Sequence, residues 1–180
     1  MPGKLTKEEF ETMKEHTLIG ASMLDKLEHY KDEKMIKIAY QICRWHHERY
    51  DGKGYPDGLT GEQIPIAAQV VSVADVYDAL VSKRVYKDAY SHEQAMKMIL
   101  NGECGAFNPL LMEVLVEIRD KIKEETSAMK KQLYFPDELC IINEIFILYT
   151  KNKKMKDEEE NLSILEGNKG CYLQLSRSIM

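Results

Sequence analysis

The chain has 180 residues, 44% hydrophobic and 31% charged, enough for one domain with its own core and too apolar for an intrinsically disordered chain. Lys and Arg number 25 against 30 Asp and Glu, a net charge of -5, so duplex nucleic acid is not an expected partner. The 10 Gly and 5 Pro are too few for a sandwich or barrel of many short strands, and an all-α domain is expected.

Thr6 followed by Glu9 reads as a capping box that starts a helix with Phe10 and Met13 on its apolar face. Leu18, Ile19, Met23, Leu24 and Leu27 predict a second helix, and the polar run 28–34 links it to a third. In that third helix Met35, Ile38, Ala39, Ile42 and Trp45 or His46 recur every three or four residues as a buried stripe that ends at His46 and His47. Segment 51–61 holds four of the 10 glycines and one of the 5 prolines, so it must leave the helix as a tight, shaped loop. The run 66–81 is rich in β-branched residues, but its length favours a buried helix. Further helices are predicted from about Ser91 to Leu100, with Ser91 as N-cap, and from Pro109, capped by Asn108.

The domain is expected to span 1–125. Residues 126–180 form a C-terminal extension with one helix-like segment over 137–150, carrying Leu139, Ile142, Ile145, Phe146 and Tyr149, and a weakly packed or disordered tail. Cys43, Cys104, Cys140 and Cys171 make no CxxC pair and read as free thiols of a reducing compartment. No apolar leader and no membrane-length apolar stretch is present, so a cytoplasmic location is expected.

His46 and His47 are adjacent, and successive helical residues diverge by about 100°. They can grip one metal ion only at a helix end facing a cavity; otherwise they are a core histidine beside a surface one. Asp75 lies in an apolar run, where an ionised carboxylate needs a cation, and a metal is favoured over a nearby Arg or Lys. For Asp78 a salt bridge with Lys83, Arg84 or Lys87 is expected. His16 is a lone imidazole in an apolar neighbourhood, usually a satisfied core residue, while His29 and His92 are expected at the surface.

Segment 46–59 runs His-His-Glu-Arg-Tyr-Asp-Gly-Lys-Gly-Tyr-Pro-Asp-Gly-Leu. It is followed by Ile64-Pro65 and by Val-Ala-Asp-Val-Tyr-Asp-Ala-Leu over 73–80. With Pro-Gly-Lys-Leu-Thr-Lys-Glu-Glu-Phe over 2–10, His16-Thr17, Lys-Arg-Val-Tyr-Lys over 83–87 and Phe-Asn-Pro over 107–109, it resembles the HD-GYP family of metal-dependent phosphodiesterases across about residues 2–125. The resemblance implies an all-helical HD-type bundle that hydrolyses cyclic di-GMP or a related cyclic dinucleotide with two or three iron or manganese ions. His16, His46, His47 and Asp75 match metal ligands, Arg84 and Lys87 match positions that hold substrate phosphates, and Tyr55 lies in the loop that shapes the substrate pocket.

The chain departs from the family in one large respect: none of its five histidines is followed by Asp. The family's His-Asp dyad lies upstream of the Pro-Gly-Lys-Leu segment, with which this chain begins. The bundle is therefore expected to be incomplete, to expose apolar surface, and to be completed by an upstream segment or a second chain. Its metal site is expected to be incomplete too, and the chain alone to be impaired or inactive as a phosphodiesterase. The alternatives are a non-catalytic signalling module that binds a nucleotide or a protein, and a remnant without independent activity. Smaller differences are Lys83, Val85 and Asn108, where the family commonly has Asp, Pro and Asp.

Overall fold

The computed structural model describes residues 6–30, 32–83 and 88–129. Among these the regular elements are helical, in keeping with an all-α bundle. They are α1 (Lys7–Asp25), α2 (Lys34–Trp45), α3 (Ile66–Val81), α4 (His92–Leu100), α5 (Pro109–Glu117) and α6 (Arg119–Met129), with short 3-10 turns at Glu28–Tyr30 and Gly61–Gln63. Arg84, Lys87 and the helix-like segment 137–150 lie outside the described residues.

The capping box is present: Glu9 N–H donates to Thr6 Oγ1 at 3.2 Å, and Thr6 N–H donates to Glu9 Oε2 at 2.7 Å. It starts one helix rather than two, because α1 runs unbroken through Asp25. His16 therefore stands within the helix and not beyond its end. The buried line of α1 is Thr17 and Ala21, beside Gly20, whose missing Cβ would sit 3.5 Å from Cys43 on α2. Small residues let the two helices approach closely, and the larger apolar residues turn outward: Leu18, Ile19, Met23 and Leu27 are 42%, 54%, 65% and 41% exposed.

On α2 the predicted stripe is buried in part: Ile38 and Ala39 are buried, with Cys43 beside them, while Met35, Ile42, Trp45 and His46 are half-buried. Helix α3 is the centre of the fold, packed against α2 on one side and α4 on the other. Its β-branched run is helical because it is covered on nearly every side: ten of its residues are buried, among them Val70, Val73, Ala74, Tyr77 and Leu80. They join Ala95, Met96 and Ile99 of α4, Leu111, Val114 and Leu115 of α5, and Ile122 of α6 in one core. Ser91 caps α4 and Asn108 caps α5, as the sequence predicts.

A chain of buried amides ties α5 to α3. Asn108 Oδ1 accepts from Leu110 N–H, Asn108 Nδ2 donates to Gln69 Oε1 at 2.9 Å, and Gln69 Nε2 donates to the Ile64 carbonyl at 2.6 Å. Every link has a donor facing an acceptor. An Asp at 108 would face Gln69 Oε1 with a second acceptor, which explains why an amide suits this position here.

Candidate metal and phosphate site

His46 is the C-cap of α2 and His47 the residue after it, so the pair does sit at a helix end. His16 reaches them from α1. One ligand nitrogen from each of His16, His46 and His47 lies within 4.8 Å of the other two. Ring centroids are 5.3 Å (His16–His46), 5.0 Å (His16–His47) and 4.1 Å (His46–His47) apart.

The hydrogen bonds on the far side of two rings fix their tautomers. His16 Nδ1 is 2.6 Å from the Met13 carbonyl and His46 Nδ1 is 2.8 Å from the Ile42 carbonyl. A carbonyl oxygen only accepts, so both Nδ1 atoms carry the proton, and in the neutral rings both Nε2 atoms present lone pairs. Those two Nε2 atoms face each other at 3.3 Å. Two lone pairs cannot bond each other; the contact needs a proton or a cation between them. Burial, the largest influence, holds His46 below the ordinary imidazole value, and it brings His47 to about 3, assisted by the charges of His46, His16 and Arg49. Protonation is thus opposed where an electron-pair acceptor is wanted.

The three nitrogens fit one ion. Two nitrogen ligands sharing an ion at about 2.1 Å can be no more than about 4.2 Å apart, so the 3.3 Å pair fits as it stands. His47 needs at most a sub-ångström side-chain adjustment. Carbonyl-anchored Nδ1–H groups are the usual outer support of metal-binding histidines.

Asp75 is not a member of the three-histidine group. It stands half-buried on α3 and acts as a nearby negative charge that favours the charged forms of His46 and Arg49. Tyr55 does join the histidines. Its ring lies tilted on His47 with centroids 4.8 Å apart, its hydroxyl is 3.9 Å from Met13 Sδ, and burial raises its pKa to about 12. Asp78 accepts from the Ser82 hydroxyl at 3.0 Å, while Lys83 pairs with Asp88 instead at 3.8 Å.

His29 is exposed, as expected, but the surface expectation for His92 is corrected. Its Nδ1 is 2.7 Å from the hydroxyl of buried Tyr77, and its Nε2 is buried with no hydrogen-bond partner among the described residues. The ring is half-buried, and burial is the largest influence lowering its pKa.

Sequence reasoning missed the residues that shape the loop over 51–61. Glu48 is 2% exposed, and its carboxylate accepts backbone N–H bonds from Asp57 (2.7 Å), Gly58 (3.0 Å) and Leu59 (3.1 Å). Asp57 in turn receives Arg44 through two nitrogens at 2.8 and 2.9 Å and Trp45 Nε1 at 2.7 Å. The Arg44 hydrogen bond holds the Asp57 carboxyl below the ordinary carboxylate range. Gly54 passes so close that a Cβ there would fall 2.3 Å from Glu48 Cα and Arg49 N, which is why this position of the loop is glycine. The available signal was an acid placed directly before a Gly-rich turn, whose successive amides form an anion-binding concavity. Arg49 lies under the site, donating to the Ser72 hydroxyl at 2.8 Å and stacking on Phe107 at 5.4 Å.

The sequence over 1–106 matches the HD domain family. The chain belongs to that family, and the cyclic di-GMP phosphodiesterases it matches support the HD-GYP assignment. It is 46% identical over 121 residues to a cyclic di-GMP phosphodiesterase of Vibrio cholerae, covering 67% of this chain and 25% of that protein. Over 123 residues it is 38% identical to a cyclic di-GMP phosphodiesterase of Thermotoga maritima (68% and 32%). A third relative is the 3'3'-cGAMP-specific phosphodiesterase 2 of Vibrio cholerae, 37% identical over 120 residues (67% and 22%). The chain thus spans about a third or less of the length of these curated relatives. Among the described residues no helix is long and apolar enough to cross a membrane.

The three buried or half-buried imidazoles make stability depend on pH in the metal-free chain. Folded His47 titrates at about 3, and His46 and His92 also lie below the ordinary 6.5. The unfolded chain takes up protons at about 6.5 that the folded chain refuses, so stability is full above that pH and falls progressively below it. The melting temperature, followed by circular dichroism, is expected to drop between pH 7.5 and pH 5. A flat or rising curve would contradict the neutral-histidine assignment.

Proposed function

We propose that this chain is part of a metal-dependent phosphodiesterase of the cyclic di-GMP class. In this reading His16, His46 and His47 hold a divalent transition metal, and Asp75 serves a neighbouring ion. Arg84 and Lys87 hold phosphates of a cyclic dinucleotide, and Tyr55 walls the pocket. The observation that carries it is the pair of facing lone pairs, His16 Nε2 and His46 Nε2 at 3.3 Å, each ring anchored on a carbonyl behind. When bound, a divalent ion supplies an acidified water at neutral pH and a positive charge for the phosphoryl oxygens. Nitrogen and carboxylate ligands suit iron and manganese alike. The chain's own residues hold His46 and His47 neutral through burial and rest Tyr55 against His47. A reducing cytoplasm is the setting we propose, since none of the four cysteines stands in a CxxC pair.

The absence of a His-Asp pair from this sequence favours impaired turnover by the chain alone. The outward apolar face of α1 supports completion of the bundle by an upstream segment or another chain. Metal analysis and a cyclic di-GMP hydrolysis assay test this, on the chain and on the chain joined to whatever coding sequence precedes it. No bound transition metal and no turnover in either form would overturn the proposal. The second reading, a non-catalytic binding module, is favoured by the same missing dyad; calorimetry showing binding without hydrolysis would select it.

A further inference from the structure

Lys14 stands on α1 two residues before His16. Its side chain is only 26% exposed, whereas that of its ion-pair partner Glu11, at 2.7 Å, is 68% exposed. The ammonium lies 4.9 Å from the Phe10 ring centroid and 5.6 Å from that of Tyr55, and Tyr55 is the ring that rests on His47. Most helix-surface lysines wander among rotamers in water. Here the stem is confined against two aromatic rings and the charge is held near their faces, one ring's width from the three-histidine group. Phe10 stands edge-on to Tyr55, at 78° with centroids 6.3 Å apart, and is itself 41% exposed. A fixed cation and an uncovered aromatic ring therefore share the rim of the site.

This inference rests on the cyclic-dinucleotide reading above. Such a ligand carries two phosphodiesters at a separation set by its ring. When one lies at the histidines, the other extends past them and is favoured by a cation on the rim beside whatever Arg84 and Lys87 supply, and the neighbouring purine presents a flat apolar face. We propose that Lys14 receives the phosphodiester that is not being cleaved, with Phe10 offering a stacking face to the adjoining base. Glu11 occupies the ammonium in the free protein and yields it to the incoming phosphate. Lys14 is thus a substrate-positioning residue that distinguishes a two-phosphate ligand from a one-phosphate ligand.

The test is calorimetric titration of the 180-residue chain with cyclic di-GMP and with GMP, alongside metal content and melting temperature for each variant. Lys14→Gln is expected to weaken cyclic di-GMP binding by about tenfold or more, the scale of a lost charge-assisted contact. It should change GMP binding and metal content little. Lys14→Arg is expected to restore most of the affinity, and Glu11→Gln to tighten binding by removing the competing carboxylate. A merely local ion pair would give the opposite pattern, with Glu11→Gln and Lys14→Gln shifting affinity together or not at all. Either of those results overturns the proposal while leaving the cyclic-dinucleotide reading intact. Failure of the unsubstituted chain to bind cyclic di-GMP, both alone and joined to whatever coding sequence precedes it, would overturn both.

Discussion

His46→Ala is expected to lower the affinity of the chain for a divalent transition metal by more than about 100-fold, the upper end of what loss of an outer supporting residue costs at a metal site. His92→Ala is expected to leave the affinity unchanged. The contrast follows from position. His46 contributes one of the two Nε2 lone pairs that face each other at 3.3 Å, whereas His92 points its Nδ1 at Tyr77 between α3 and α4. Both rings are at least half-buried, so a general loss of packing would affect both variants, and melting temperatures separate that effect from ligand loss. Metal competition titration and elemental analysis supply the measurement. Equal metal content in the two variants would remove His46 from the site.

Glu48→Ala is expected to produce the largest stability loss of any single substitution in the loop region, about 3–5 kcal/mol. The carboxylate is 2% exposed and accepts three consecutive backbone N–H groups. Its removal leaves these donors unpaired in a buried place and an empty volume besides. Glu48→Gln keeps the volume but replaces one accepting oxygen by an NH2 group that faces an N–H, and an intermediate loss is expected. The functional consequence should follow the structural one. Tyr55, held against His47 by this loop, loses its support, so metal affinity should fall in Glu48→Gln under conditions where the protein remains folded. Urea unfolding gives the stability and metal titration the second quantity. A Glu48→Ala variant within about 1 kcal/mol of the unsubstituted chain would show that the loop is held by other contacts.

Much of this molecule is legible along the chain. Caps at Thr6, Ser91 and Asn108 lie where local rules place them, because a cap involves only the three or four residues that follow it. The helix at α3 is legible through its length despite its β-branched content, and the loop over 51–61 through its glycines. Expectation and fold part where a local pattern has two tertiary solutions. The stripe Leu18, Ile19, Met23 and Leu27 has helical spacing, but burial on α1 goes to the small residues Thr17 and Ala21. Close approach to Cys43 requires a narrow surface, and apolar spacing alone does not say which of two faces is covered. The surface expectation for His92 fails for a related reason: polar sequence neighbours do not reveal that Tyr77 waits across the interface.

The sequence by itself determined that the chain is helical, where most of its helices begin, that an acid and two histidines precede a glycine-rich loop, and that these residues resemble the HD-GYP pattern. Only the tertiary structure decided that His16, 30 positions earlier, meets His46 with lone pair against lone pair. It also decided that Asp75 stands outside the three-histidine group, that Glu48 turns inward as the clamp of the loop, and that Lys14 is pinned between Phe10 and Tyr55. Helix periods and caps are set by interactions across a few neighbouring residues, so they can be read along the chain. Convergence of side chains from different helices is set by how those helices pack, and that depends on every residue along their contact.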